Sequence, residues 1–210
     1  MSAYATLIKD AQSFCATLKV NNTKDWFADN KARYETELKR PALALLEDVS
    51  AALADDYGVP FSTKLFRIHR DVRFSKDKSP YNAHLHMLWS QAGRTDGPGW
   101  FFGISPDYIR VGWGWMGFSK DQLSTWRHAI DGPYGAGIEA AIKATGMEPA
   151  EPELKRVPAP HDKDHPLATH LRRKSLAVWS DVTDTGDVRT SLLDIFARIR
   201  PLYEELDDLM

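Results

Sequence analysis

A single cysteine, Cys15, stands in 210 residues, so no internal disulfide can form. It lies within an apolar helical stripe and reads as a core residue. No run of about 18 apolar residues occurs, which leaves no expected membrane span. The N-terminus lacks the basic stretch, apolar run and small-residue cleavage site of a secretory leader. Charge of one sign is also missing: 27 Lys and Arg face 29 Asp and Glu, for a formal net charge of -2. That balance argues against nucleic-acid binding by bulk charge. There is no nucleophile elbow, P-loop, zinc-ligand spacing or kinase signature. The sequence therefore names no reaction, no cofactor and no metal. It predicts a soluble, cytoplasmic protein and carries no signal for an oligomeric state.

What the chain does have is a local excess of positive charge. Residues 61–89 hold Lys64, Arg67, Arg70, Arg73, Lys76 and Lys78 against Asp71 and Asp77. Read with period two, residues 64–74 form a strand. One face is Lys64, Phe66, Ile68, Arg70, Val72 and Phe74; the other is Leu65, Arg67, His69, Asp71 and Arg73. A turn-rich run over 75–83 follows. A second strand places Leu85, Met87 and Trp89 on one face and His84, His86 and Leu88 on the other. Pairing of the two strands brings His84 and His86 beside Arg67, His69, Asp71 and Arg73. Several fixed cations next to a lysine-bearing loop suit an anionic ligand, because Arg offers a planar fork to phosphate or carboxylate and Lys a point charge.

The expected partner is thus an anionic small molecule. Arg67, Arg70, Arg73, Lys76 and Lys78 are the candidate contacts, with Asn30, Lys31, Tyr34 and Tyr81 lining the site. His69, Asp71 and His84 are the groups able to transfer protons. Arg70 sits on the apolar face, where it needs a carboxylate or carbonyls and serves first as an anchor. Two other readings stand beside this one. The same loop, with Arg172, Arg173 and Lys174, offers a nucleic-acid surface on which Trp and Tyr stack. Alternatively the motif is an ion-paired turn that builds the fold.

The remaining segments frame this stretch. Tyr4, Leu7, Ile8, Ala11, Phe14, Cys15 and Leu18 form a helical stripe that Asn21 and Asn22 stop. Thr23 or Asp25 caps a short turn carrying Trp26 and Phe27. A helix over 30–56 follows, kinked or restarted at Pro41. A second hairpin pairs 100–105 with 108–115 around Pro106 and Asp107. Its apolar face is Trp100, Phe102, Ile104, Ile109, Val111, Trp113 and Trp115. Its other face holds Gly103, Gly112 and Gly114 and suits the close approach of a helix, another backbone or a ligand, a helix first. Helices are expected over 120–130, 138–144, 166–173 and 188–209, the last with a kink at Pro201. A proline-rich loop spans 147–160, and 176–179 reads as a strand. His161, Asp162, Asp164 and His165 read as a polar loop capping the 166–173 helix, because no third distant metal ligand can be named. The fold class is α+β in one domain: N-terminal helices over 1–57, an antiparallel sheet of two hairpins over 61–116, and helices with a proline-rich loop over 119–210.

Several of these segments together resemble the domain-of-unknown-function family 2461, conserved hypothetical proteins found mainly in bacteria. The matching residues are Asn21-Asn22 with Trp26-Phe27 and Asn30-Lys31, the Tyr34-Glu35 pair, the run from Phe66 to Tyr81 (FRIHRDVRFSKDKSPY), and Asp164-His165-Pro166 ahead of the basic end at 171–174. Where the family pattern leads one to expect an aromatic or glycine ahead of Asp-His-Pro, this chain has Ala159-Pro160-His161. The resemblance implies a single α+β domain and no particular activity.

Overall fold

The computed structural model describes residues 4–183 and 186–210. The first helix, α1 (Leu7–Val20), buries the stripe Leu7, Ile8, Ala11, Phe14, Cys15 and Leu18. Thr23, not Asp25, caps α2 (Lys24–Arg33), its hydroxyl accepting from the Trp26 N–H. The helix expected over 30–56 is part of a longer run. After α2 the chain widens into a π-helical segment, Tyr34–Lys39, and continues as α3 (Arg40–Tyr57). Pro41 explains the widening. It has no N–H to give to the preceding turn, and its ring crowds the carbonyl four residues back. In the wider turn the Arg40 N–H bonds to the Glu35 carbonyl, five residues back. Gly58, at φ +70°, ends α3.

The strands are β1 (Phe61–Leu65), β2 (Leu85–Gln91), β3 (Gly99–Ile104), β4 (Ile109–Trp115), β5 (Glu148–Pro149) and β6 (Leu176–Asp181). They form one six-stranded sheet in the order β1-β2-β3-β4-β6-β5, which with the helices makes the fold α+β. β1 pairs antiparallel with β2 from Phe61↔Gln91 to Leu65↔Met87. The strand expected over 64–74 therefore begins three residues earlier and ends at Leu65. Past it the chain leaves the sheet, touching it again through the Phe66 N–H on the His86 carbonyl and an isolated bridge between His69 and Tyr81. Local bonds win over the ladder here. The Asp71 carboxylate accepts from the Arg73 backbone N–H, and the Ser75 N–H closes a turn onto Val72. Phe74, assigned to the apolar face, is 96 % exposed.

In the β3–β4 connection the Ser105 N–H bonds to the Tyr108 carbonyl, as the two-residue loop requires. Ser105 Oγ accepts from the Asp107 and Tyr108 N–H groups, which offsets the unusual Pro-Asp pair. Trp100, Phe102, Ile104, Val111, Trp113 and Trp115 are buried. At Gly112 and Gly114 the close approach comes from the neighbouring strand, β6. The Trp179 ring lies against Gly112, and the Leu176 carbonyl against Gly114.

The chain divides into two compact units. The first comprises the chain up to Ala92 with Phe101–Val111 and Asp181–Leu193. In it α3 packs on β1 and β2, and the Trp89 indole N–H donates to the Leu46 carbonyl at 2.9 Å. The second comprises Gly93–Trp100, Gly112–Ser180 and Asp194–Met210. It contains α4 (Lys120–Asp131), started by a Ser119/Gln122 capping box, and α5 (Gly135–Ala144). The helix expected over 166–173 contracts to α6 (Ala168–Leu171). Its His170 and the following Arg173 are buried and bonded to each other, with Glu139 on the other side of the imidazole. The last helix, α7 (Val188–Asp207), carries Pro201 inside it. Among the described residues no helix is long and apolar enough to cross a membrane.

The glycine face yields a test. Gly114 has φ +136°, and an added Cβ would meet the Leu176 carbonyl oxygen at 1.8 Å. The atom it meets is strand backbone and the φ is positive, so Gly114→Ala lowers stability by about 3 kcal/mol or more in urea denaturation. Gly117→Ala, with open space at the same point, stays within about 0.5 kcal/mol of the parent.

Candidate functional site

The loop between β1 and β2, residues 66–84, is tied down at its far end. The Asn22 side chain accepts from the Tyr81 N–H at 3.1 Å and donates to the Tyr81 carbonyl at 2.9 Å. The Tyr81 ring stacks on Phe27 at 4.2 Å, and Ile68 is buried. Asn82 closes the loop on itself through its N–H to the Ile68 carbonyl and its side-chain amide to the Arg67 carbonyl.

Within this frame the charges pair locally. Arg70 donates to Asp77 at 2.5 Å and to the Ser79 carbonyl at 3.2 Å, the carboxylate-plus-carbonyl anchoring expected of it. The Ser79 hydroxyl and N–H, with Arg70, hold the Asp77 carboxyl well below the usual carboxylate range. Arg73 forks onto Asp71 through Nε at 2.9 Å and Nη2 at 2.7 Å, which lowers the carboxyl of Asp71. Lys78 donates to the Val72 carbonyl.

What remains is a cleft of about 260 Å³ lined by Phe66, Arg67, His69, Arg70, Asp71, Asn82 and His84. The fold-back of the loop, not strand pairing, thus gathers Arg67, His69, Asp71 and His84. His84 stacks on His86 with ring centroids 3.7 Å apart, and His86 Nε2 lies 2.6 Å from the Tyr108 hydroxyl. Burial, and then the charge of His84, push His86 down to about 4, so it is neutral at pH 7. Burial and the nearby Arg70 lower His84 as well.

Other expected site residues lie elsewhere. Arg73, Lys76 and Lys78 are exposed on the loop, outside the cleft wall. Tyr34 and Tyr81 are core residues; burial pushes Tyr34 up to about 12. Asn30 bonds back to the Trp26 carbonyl within its own helix, and Lys31 is exposed on α2. Asp71 is taken by Arg73 and is not bonded to His69. Phe66 and Asn82 line the cleft without having been singled out, nor was the contact of His86 with Tyr108. The signal for that contact was present, since the hairpin register already set Tyr108 beside the glycine face. Among the described residues no group of three or more His, Cys, Asp or Glu is placed to hold a metal ion.

The sequence profile of a family described as "Conserved hypothetical protein (DUF2461)" matches residues 10–204. The chain belongs to the DUF2461 family. No curated protein matches it. The matched region of this DUF2461 protein takes in every residue of the cleft and the Asn22 clamp.

The half-buried His86 sets a pH dependence. Its pKa in the folded chain, about 4, lies below the 6.5 of an ordinary imidazole. Between those values the unfolded chain binds a proton that the folded chain refuses, so stability falls as pH drops through the window. The loss is about 1–2 kcal/mol once solvent screening of a half-buried group is allowed for. Urea denaturation at pH 7 and pH 4.5 measures it, and His86→Gln flattens the difference by that amount.

Proposed function

We propose that this protein binds a compact oxyanion, a phosphate or carboxylate group, in the cleft between Arg67, His69, Asn82 and His84. Arg67 carries the reading. Asp71 is close enough to feel its charge but is bonded to Arg73, and among the described residues no carboxylate lies within ion-pair distance of the Arg67 guanidinium. Its planar fork is thus left to meet a ligand oxygen. His69 and His84 stand on the same wall. Any proton transfer falls to His84, whose lowered pKa keeps it neutral and able to accept a proton at pH 7. Arg70 and Arg73 are fold elements in this reading, each satisfied by its aspartate.

One observation favours a second reading, nucleic-acid binding. Phe74 is 96 % exposed, with the Arg73 guanidinium 5.8 Å from its ring, a platform on which a base could stack.

Thermal denaturation with phosphate, sulfate, nucleotides, sugar phosphates, dicarboxylates and short single-stranded DNA separates the two. A ligand at about 100 times its Kd stabilises by about 2.7 kcal/mol, or about 5–10 °C at this length. The expected result is a shift with one class of small anion, lost in Arg67→Ala and kept in Phe74→Ala. A shift with DNA alone, lost in Phe74→Ala and falling steeply with salt, moves the function to nucleic acid. No shift with any anion sinks the oxyanion reading.

A further inference from the structure

A second cleft, of about 530 Å³, lies in the other unit along α4. Lys120, Ser124, Arg127, His128 and Asp131 fall at helical spacing on one side of that helix, and all line it. The opposite side, with Gln122, Trp126, Ala129 and Ile130, is buried. The facing wall is the loop at Ala159, Pro160 and His161.

Asp131 lies against that wall. Its Oδ2 lies 3.1 Å from His161 Nδ1 and its Oδ1 lies 3.5 Å from His165 Nε2. The other nitrogen of His165 accepts the Leu167 N–H at 3.0 Å, which also caps the turn into α6. A neutral His165 therefore turns Nε2–H, not a lone pair, toward Asp131, and the arrangement does not suit a metal.

Asp131 sits nearer to the loop histidines than to Arg127, and Arg127 is left over. No carboxylate is within ion-pair distance of it among the described residues, and its Nε is buried with no hydrogen-bond acceptor. His161 Nδ1 is likewise buried and, although close to Asp131, is out of line for a hydrogen bond. A buried N–H on a charged group without an acceptor is costly and rare in folded proteins. Arg127 Nε is one such atom, and the unpartnered His161 Nδ1 lies on the opposite wall of the same cleft.

The geometry points to a second oxyanion site, in which a small carboxylate or phosphate group accepts from Arg127 Nε and His161 with Lys120 as a further cation. Asp121 and Asp131 line the same cleft and balance Lys120 and Arg127. That balance selects a small, weakly charged head group over a polyanion. Nothing in this site depends on the Arg67 cleft.

The test is calorimetric titration of the full chain with inorganic phosphate and, separately, acetate. It is run on Arg67→Ala, so that the first cleft does not contribute. Saturable binding of either ion, weakened about tenfold or more in Arg67→Ala/Arg127→Met, is expected. Met keeps the length of the side chain and removes the orphaned donor, so the ligand-free Tm rises by about 2–4 °C. The phosphate and acetate arms name the head group. If the Met variant does not fold, Arg127→Lys keeps the charge, lacks the planar fork and shows the same loss of affinity. Unchanged affinity in a folded Arg127 variant, or no saturable binding of either ion, overturns the proposal.

Discussion

The basic loop keeps its shape through one side-chain amide. Asn22 gives and takes the hydrogen bonds that a neighbouring strand would supply to Tyr81. The Phe27 ring stacked on Tyr81 removes apolar surface from water at the same point. With that end fixed, the Asn82 N–H can reach Ile68, and His84 is delivered to the cleft just before β2 begins. The paired charges farther out shape the loop but do not tether it. Arg70–Asp77 and Arg73–Asp71 both join residues within the loop itself.

The helices were legible because their signals are local and agree with each other. The α1 stripe recurs every three to four residues, and the Thr23 cap bonds three residues ahead. Pro41 was legible as an interruption, but not as a π turn, because a proline's missing N–H and its ring allow either a kink or a wider turn. The basic motif misled for the opposite reason. Alternation over 64–74 is a sheet pattern, yet Asp71 and Asp77 offered bonds two residues away that cost less ordering than a long strand pairing.

The candidate site was half legible. Residue type alone located the cluster of Arg67, His69 and His84, because the motif concentrates cations in an otherwise balanced chain. Which of those cations are already neutralised is a matter of rotamers, and the alternation gave Arg73 to the site when it belongs to Asp71. Asp131 shows the limit more sharply. It faces His161 and His165 across 30 and 34 residues of chain, and no spacing rule joins a helix end to a proline-rich loop that far away.

The π-helical segment also fixes the helical phase of everything before it. Each residue there advances by less rotation than in an α-helix, so over Tyr34–Lys39 the side-chain directions lag by about 100°. The side chains of α2 are thereby turned relative to those of α3, and in that setting Phe27 stacks on Tyr81. The residue count between Phe27 and Pro41 thus acts as an angular setting. Substitutions at its positions other than the buried Tyr34 and Leu38 leave that setting in place, whereas a one-residue change in its length would rotate Phe27 and the neighbouring Asn22 clamp away from the loop they hold.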